Sequence, residues 1–324
     1  MNRYIWGAFA FVIALLISAL VGSPVIKKLK EASFGQEIRE DGPSWHKKKS
    51  GTPTMGGFIF LAGLIPAAIF ILILSRKADF TAVTVGICAV LFGAIGFSDD
   101  YIKVIKKRNL GLTAKQKFMA QLLLSAGFSL ALYYIKGGEV LFINGIYDWS
   151  YFIIPFNILV LLATNNAVNL TDGVDALAGS TTFFCMAYFA FAAFYMGADS
   201  VAILLLATMG GVLGFLFYNR HPAKVFMGDT GSLFLGGLIG AVACALGLQF
   251  TVITAGIVFF IETLSVIIQV TYFKITHGKR IFLMTPIHHH FEKKGWSEIK
   301  IVTIFSLITV IMGILSAVYA VSFV

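Results

Sequence analysis

Long apolar runs alternate with polar segments along the whole chain. A helix that crosses a bilayer needs about 20 mostly apolar residues. Ten runs reach or approach that length, so the pattern predicts ten transmembrane helices and an all-α integral membrane protein, with one membrane domain over residues 1–324. The runs are Tyr4–Val21, Met55–Leu74, Phe80–Phe97, Phe118–Ile135, Tyr151–Ala163, Ser180–Met196, Ser200–Phe217, Leu233–Leu248, Phe250–Tyr272 and Ile301–Val321.

The polar segments between the runs differ sharply in charge. Five long segments hold 21 of the 25 lysine and arginine residues and all six histidines. These segments are Lys27–Ser50, Ser98–Lys117, Thr164–Gly179, Tyr218–Ser232 and Phe273–Lys300. Because lysine and arginine mark cytoplasmic loops, we predict that these five loops face the cytoplasm and that both termini are extracytoplasmic.

The composition agrees with a lipid environment. The chain is 58% hydrophobic and 13% charged, whereas soluble domains carry about 25% charged residues. The net charge of +9 would suggest nucleic acid in a soluble protein, but here the loops concentrate it on one side, and we predict no nucleic-acid partner. The three cysteines lie inside apolar runs without metal-ligand spacing, so no disulfide framework is expected.

The segments predicted to face outward are short, with one exception. In residues 136–150, a pattern of two apolar strands around Asn144-Gly145 predicts a small extracytoplasmic β-hairpin near 140–149. The first run has Arg3 before it and several lysines after it, the reverse of a signal peptide, so we interpret it as a true span.

Two polar loops bring carboxylates to the ends of spans. Asp99 and Asp100 directly follow the third run. They could hold a divalent cation such as Mg²⁺, which prefers carboxylate oxygens, or they could equally be a solvated acidic pair. Asn169, Asp172 and Asp175 are spaced by three in a loop without lysine or arginine, so on a helix they would share roughly one face. We interpret them as a ligand or metal site; the alternative is a polar helix cap.

The fourth loop combines glycines, an acid and an aromatic ring. Gly228 and Gly231 flank Asp229, and glycines let backbone N–H groups approach phosphate oxygens. Asp229 is placed for a metal. The ring of Phe226 could stack on a nucleobase or anchor the loop at the membrane interface.

The fifth loop contains His288, His289 and His290 in succession, which cannot all face one way on a regular element. Lysines follow them, which favours phosphate over zinc as the partner. In the first loop, Gly51–Gly57 opens the second span and could cradle an anion, with Lys49 adding charge. Glu262 lies inside the ninth run, where a carboxylate suggests function, but the sequence assigns it no role.

These motifs together resemble a known family. Gly51–Gly57, Asp99-Asp100, Asn169–Gly173, Phe226–Asp229 and Pro286–Phe291 are similar to the motifs of the phospho-N-acetylmuramoyl-pentapeptide-transferases. That family belongs to the polyprenyl-phosphate N-acetylhexosamine-1-phosphate transferases. The similarity extends from about Arg39 to Lys294, and the ten-span arrangement agrees with it.

The resemblance implies a reaction and its participants. UDP-N-acetylmuramoyl-pentapeptide and undecaprenyl phosphate would give lipid I and UMP, with Mg²⁺ as cofactor. The enzyme would be a homodimer in the bacterial plasma (inner) membrane, with a cytoplasmic active site, acting at the first membrane step of peptidoglycan synthesis.

The resemblance also implies roles for individual residues. The metal ligand would be Asp229, with Asp99 and Asp172 as further candidates. The catalytic residues would be Asp99, Asp100, Asp229 and His289. The substrate-binding residues would be Lys49, Lys103, Lys115, Asn169, Asp172, Asp175, Asn219, Phe226, His288 and His290. Among them, Lys49, Asn219, Phe226 and Asp175 would surround the uridine, and the histidines would contact the diphosphate.

Two other functions stay open at this point. A related transferase would use UDP-N-acetylglucosamine as donor, and the three adjacent histidines favour the muramoyl-pentapeptide branch over it. A lipid or nucleotide-sugar transporter would need paired repeats or charges lining the spans. The sequence shows no clear internal repeat, and its charges concentrate in loops on one side.

Overall fold

The computed structural model describes residues 3–32, 51–77, 79–105, 111–136 and 152–323, and within these ranges it is helical, with no strand. The predicted hairpin near 140–149 and Lys49 lie outside the described residues. The helices are α1 (Arg3–Glu31), α2 (Gly57–Ser75), α3 (Phe80–Ile105), α4 (Ala114–Ile135), α5 (Ile153–Thr171), α6 (Leu177–Tyr195), α7 (Asp199–Asn219), α8 (Gly228–Leu246), α9 (Thr251–Ala255), α10 (Ile257–Ile275), α11 (Ile287–Lys293) and α12 (Glu298–Phe323).

Ten helices of the described chain are long and apolar enough to cross a membrane, which confirms the ten predicted spans. The chain is therefore a multi-pass membrane protein. Several helices continue past the ends of the predicted apolar runs, among them α1, which extends past Val21 to Glu31. Helix α3 extends to Ile105 and includes the acidic pair, and α5 extends to Thr171. Polar residues continue α5 because they find partners: the Asn165 side chain donates to the Leu233 carbonyl at 2.6 Å.

Helix α8 is the centre of the bundle. Nearly all of its side chains are buried, and α3 and α5 pack along it. Helices α1, α2 and α7 form a second packed group beside it. A helix that is apolar on all sides belongs in such a core. By contrast, α10 and α12 expose many large apolar side chains on their outer surfaces, as expected for contact with lipid.

Ion pairs distinguish the two ends of the bundle. At one end, Asp199 at the start of α7 lies 3.0 Å from Lys77 and 3.5 Å from Arg3. The other end, where α3 and α5 end and α8 begins, is called the polar face below. Glu298, at the start of α12, accepts from the Asp175 N–H on the polar face. Helix α1 therefore begins, and α12 ends, on the opposite face.

Candidate active site

Three carboxylates gather on the polar face. Asp99 and Asp100 lie in the last turns of α3, and Asp229 lies in the first turn of α8. One oxygen of each carboxylate lies within 4.8 Å of the others. The two helices approach this closely because residue 96 is glycine: any Cβ there would collide with the Asp229 carbonyl. The structure thus brings together acids that are 129 positions apart in the chain.

Two lysines neutralise the carboxylate group. The Lys103 ammonium lies 2.6 Å from Asp99 and 3.0 Å from Asp229, and Lys117 lies 2.8 Å from Asp229. Charge-assisted contacts of this length are strong when partly shielded from water. Lys103 therefore belongs to the carboxylate group, and its predicted substrate contact stays a prediction. Lys115 is exposed in the first turn of α4, and its predicted substrate contact stays a prediction.

The adjacent acids Asp99 and Asp100 have different surroundings. Asp100 accepts from the Thr230 backbone N–H at 2.9 Å and from its hydroxyl at 2.7 Å, so it binds the free N–H groups at the start of α8. Asp99 accepts from the Leu112 N–H at 2.8 Å and faces Lys103. Asp100 therefore holds α8 in place, whereas Asp99 is fixed between a loop amide and a lysine.

Asn169 reaches the same carboxylate group from the last turn of α5. Its amide nitrogen donates to Asp229 at 2.9 Å and to the Ser232 hydroxyl at 2.8 Å. The Asn169 amide therefore fixes one oxygen of Asp229, while the lysines hold the other. The prediction that Asn169 lies in the same centre as Asp229 agrees with this geometry.

The expectation that Asn169, Asp172 and Asp175 share a helix face is wrong. Helix α5 ends at Thr171, and the chain turns over residues 172–176. Asp172 is half-buried near the carboxylate group. Asp175 turns away, where its carboxylate accepts from the Ala223 N–H at 3.0 Å and lies 3.0 Å from His221 Nδ1. The two acids that follow α5, Asp172 and Asp175, therefore lie at two different sites.

Burial, together with the nearby charges of Asp229, Asp100 and Asp175, raises the pKa of the Asp172 carboxyl to about 8. In the unfolded chain, the Asp172 carboxyl has a pKa near 4. Between these values the folded state holds a proton that the unfolded state has lost, so stability falls as pH rises from about 4 towards 8.

We therefore expect Asp172→Asn to become more thermostable relative to the wild type as pH rises. The two proteins should have similar melting temperatures in detergent at pH 4.5, and the variant should be more stable at pH 8. Melting curves across this range would test it. A constant difference between the two proteins at every pH would contradict the raised pKa.

A second group lies beside the first on the polar face. Asp175, His221 and Glu298 place ligand atoms within 4.8 Å of one another. Asn219 braces the same region, because it accepts from the Ala176 N–H at 3.0 Å and donates to the Val225 carbonyl at 2.9 Å. The structure thus brings Asp175 and Asn219 together, as the resemblance implies.

The loop before α2 supports Phe226. The Phe226 N–H donates to the Pro53 carbonyl at 2.8 Å, and its own carbonyl accepts from Gly56 at 2.7 Å. The N–H groups of Gly56 and Gly57 therefore bind another loop, and anion binding by the rest of Gly51–Gly57 stays a prediction. Phe226 is half-buried, and the Asn219 amide donates to the carbonyl of the residue before it, Val225.

The three histidines face different ways, as predicted, on the short helix α11. His288 is fully buried and lies 3.0 Å from Glu262. His289 lies 2.6 Å from Glu292, and its ring is 4.1 Å from that of His288. His290 accepts from the Leu283 N–H at 3.1 Å. Each of the three imidazoles on α11 therefore has a different partner.

Several residues of the site were not predicted from the sequence. These are Lys117, His221, Thr230, Ser232, Glu292 and Glu298. One of them had a usable signal: Thr113 and Gln116 form a capping box, which predicts that a helix begins at Ala114. That start would have placed Lys117 one turn into the helix that follows the acidic pair in the chain.

The geometry defines a class of protein: a multi-pass membrane protein with a polar site of carboxylates, lysines and histidines at one end of its spans. The model of glycosyl transferase family 4 matches residues 82–247. A phospho-N-acetylmuramoyl-pentapeptide-transferase of Listeria innocua is 47% identical over 310 residues, covering 94% of this chain and 95% of the relative.

Similar relatives occur in other genera. The phospho-N-acetylmuramoyl-pentapeptide-transferase of Clostridium beijerinckii is 48% identical over 308 residues, covering 94% of this chain and 93% of the relative. That of Clostridium botulinum strain Alaska E43 is 46% identical over 308 residues, with 94% of each chain covered. The chain belongs to glycosyl transferase family 4 and, within it, to the phospho-N-acetylmuramoyl-pentapeptide-transferases.

Proposed function

We propose that the chain transfers phospho-N-acetylmuramoyl-pentapeptide from its UDP donor to undecaprenyl phosphate, giving lipid I and UMP. The observation that carries this proposal is the group formed by Asp99, Asp100 and Asp229 with Lys103 and Lys117 at the ends of apolar helices. Both substrates carry phosphate, and one of them is a lipid. A charged centre beside a lipid-facing wall accommodates both.

Mg²⁺ fits the chemistry of this centre. All three acids offer oxygen donors, which Mg²⁺ prefers, and it is often held by one or two carboxylates together with substrate phosphates. Asp229 would hold the ion, because it lies at the centre of the group and its oxygens are oriented by Asn169 and the lysines. Bound there, Mg²⁺ would offset the charge of the diphosphate. Asp99 is the neighbouring candidate ligand; Asp172 would bind only after losing its proton.

The chain's own residues favour direct attack by the lipid phosphate. The second pKa of the lipid phosphate is near 6, so at neutral pH this phosphate is largely a dianion and already a nucleophile. Lys103 and Lys117 would bind and orient phosphate oxygens, and Asp99 would help orient the lipid phosphate. Positioning and charge stabilisation supply most of the catalysis in phosphoryl transfer.

The competing mechanism makes an aspartate the nucleophile and passes through a covalent phospho-sugar intermediate. For Asp99 to attack, its carboxylate would first have to release the Leu112 N–H and Lys103. A labelled sugar phosphate trapped on any aspartate would overturn direct attack.

The uridine would lie beside Phe226, Asn219 and Asp175. The Phe226 backbone and the Asn219 and Asp175 side chains are fixed by hydrogen bonds to neighbouring loops, which suits a rigid pocket. The nearby histidines on α11 would contact the diphosphate. We place this face in the cytoplasm of a bacterial cell because lysine and arginine concentrate in its loops. We also propose a homodimer, as the family resemblance implies; light scattering in detergent would test it.

The direct test is UMP release by purified protein in detergent. We expect release only when Mg²⁺, the UDP-muramoyl-pentapeptide donor and polyprenyl phosphate are all present. Replacing the donor with UDP-N-acetylglucosamine should reduce turnover to background. Preferred use of UDP-N-acetylglucosamine would point to the related transferase, and absence of UMP with every donor would point to a transporter.

A further inference from the structure

Glu262 is a carboxylate buried inside a membrane-spanning helix. It lies on α10 with no solvent exposure, and its Oε2 is 3.0 Å from Nδ1 of His288, which is also fully buried. A carboxylate at this depth is costly and needs a reason. Its other oxygen, Oε1, has no hydrogen-bond partner among the described residues. Among the described residues, the Glu262 carboxylate therefore forms hydrogen bonds only with His288.

The second nitrogen of His288 faces the site. Nε2 is buried, and no described residue forms a hydrogen bond with it. It points at Gly173, where any Cβ would collide with Nε2. Gly173 follows Asp172 in the turn after α5, so Nε2 is aimed at the edge of the carboxylate centre. Buried polar nitrogens normally have a partner, and an unpartnered one needs an explanation.

We propose that Glu262 is a positioning residue for the transfer reaction, a role that rests on the proposed function. By accepting from Nδ1–H, it fixes the His288 ring so that Nε2–H donates to a phosphoryl oxygen of the substrate beside Asp172 and Gly173. The partner of one imidazole nitrogen determines the state of the other. A carboxylate behind a histidine acts in this way in other enzymes, where it holds the ring and stabilises its cationic form.

The charges of the pair support donation rather than acceptance at Nε2. A buried carboxylate next to an imidazolium forms a neutral pair, whereas an isolated buried charge is far more costly. An imidazolium has donors on both nitrogens. A neutral ring would instead present a lone pair at Nε2, which repels phosphate oxygens. Donation from Nε2 therefore requires a cationic His288 ring, with Glu262 of α10 accepting from Nδ1–H.

The other histidine–carboxylate pair differs in construction. His289 and Glu292 lie three residues apart on α11, and the His289 side chain is 14% exposed. Glu262 and His288 come from different helices and have no exposure. The deep pair therefore couples the position of α11 to α10, while the shallow pair is local to α11.

Two variants at Glu262 with a matched control test the proposal. Glu262→Leu removes the acceptor but keeps the volume, and kcat should fall about 10–100-fold, as on loss of the outer partner of a functional histidine. Glu262→Gln keeps an acceptor and should lose less. The KM for the UDP donor should change less than threefold for both. Thr263→Val is the control: its hydroxyl has no partner in the described chain, and its kcat should stay within twofold of wild type.

Each kcat is normalised to the folded fraction, measured from melting curves and size-exclusion profiles. A folded Glu262→Leu protein whose kcat lies within threefold of wild type would overturn the proposal. If Glu262→Leu does not fold, wild-type protein with ¹⁵N-labelled histidine decides the question. Solid-state spectra should show both His288 nitrogens protonated, with the signal assigned by its loss in His288→Asn. An unprotonated Nδ1 would overturn the proposal.

These measurements separate two kinds of failure. UMP release by the wild type is measured first, and its absence would count against the proposed function itself. The protonation of His288 does not depend on turnover. Normal turnover with an unprotonated Nδ1 would count against the role of Glu262 alone.

Discussion

Asp229→Asn is expected to abolish UMP release, with a loss of at least about 10³-fold in kcat, because metal-assisted stabilisation of phosphoryl transfer supplies several kcal/mol. The substitution keeps the shape of the side chain and removes its charge. Lys103 and Lys117 would then lack their common partner. Turnover at saturating Mg²⁺ would be compared with wild type, together with the melting temperature to confirm folding.

Asp199→Asn is the matched control. Asp199 also lies in the first turn of a spanning helix and pairs with basic residues, but at the opposite face of the bundle. The Arg3 and Lys77 side chains are 38% and 43% exposed, so water screens both pairs, which should contribute about 0–1 kcal/mol. Turnover should stay within threefold of wild type. An active Asp229→Asn enzyme, or equal losses in both variants, would remove Asp229 from the metal role.

Lys117→Met should cause the second large loss. The Lys117 ammonium lies 2.8 Å from Asp229 and borders the region where substrate phosphates would bind. Removing one charged stabiliser of a developing anion costs about 10²–10³-fold in kcat. Lys103 still pairs with Asp99 and Asp229, so the variant should fold. Steady-state rates at saturating substrate and Mg²⁺ would measure the loss.

Lys117→Arg is the control for charge. It keeps the positive charge on a longer side chain and should recover part of the lost rate. Two outcomes would contradict the assigned role of Lys117: a Lys117→Met enzyme with a near-wild-type rate, or one whose loss is fully explained by a reduced folded fraction.

The sequence predicted the spans well because lipid constrains them strongly. A helix in hydrocarbon needs a long apolar run, and all ten runs correspond to helices. The ends were predicted less well. Helix α5 continues past Ala163 because Asn165 and Asn166 find buried partners on α8 and α4, and a single sequence does not reveal those contacts.

The site was predicted by residue type more than by role. Asp99 and Asp100 look alike in sequence, yet one faces Lys103 and the other binds the start of α8. That difference depends on Thr230, 130 positions away. The spacing of Asp172 and Asp175 suggested that they share one face of a helix. The helix ends at Thr171, however, and both residues lie in the turn that follows. Glu262 was suspect by its depth, and only the fold supplies His288 as its partner.

The described chain has two groups able to hold a metal ion. One is Asp99, Asp100 and Asp229; the other is Asp175, His221 and Glu298. The alternative to our proposal is that the catalytic ion binds to the second group. The second contains an imidazole and would suit a transition metal better than Mg²⁺. We assign the first to the reaction and the second to the surroundings of the nucleoside.

The most direct measurement is the position of Mn²⁺, used in place of Mg²⁺, from anomalous diffraction of crystals grown with the UDP donor. The account predicts a peak about 2.0–2.3 Å from an Asp229 carboxylate oxygen, close to the distances of hard-cation ligation. A peak at Asp175, His221 and Glu298, with none at Asp229, would contradict it.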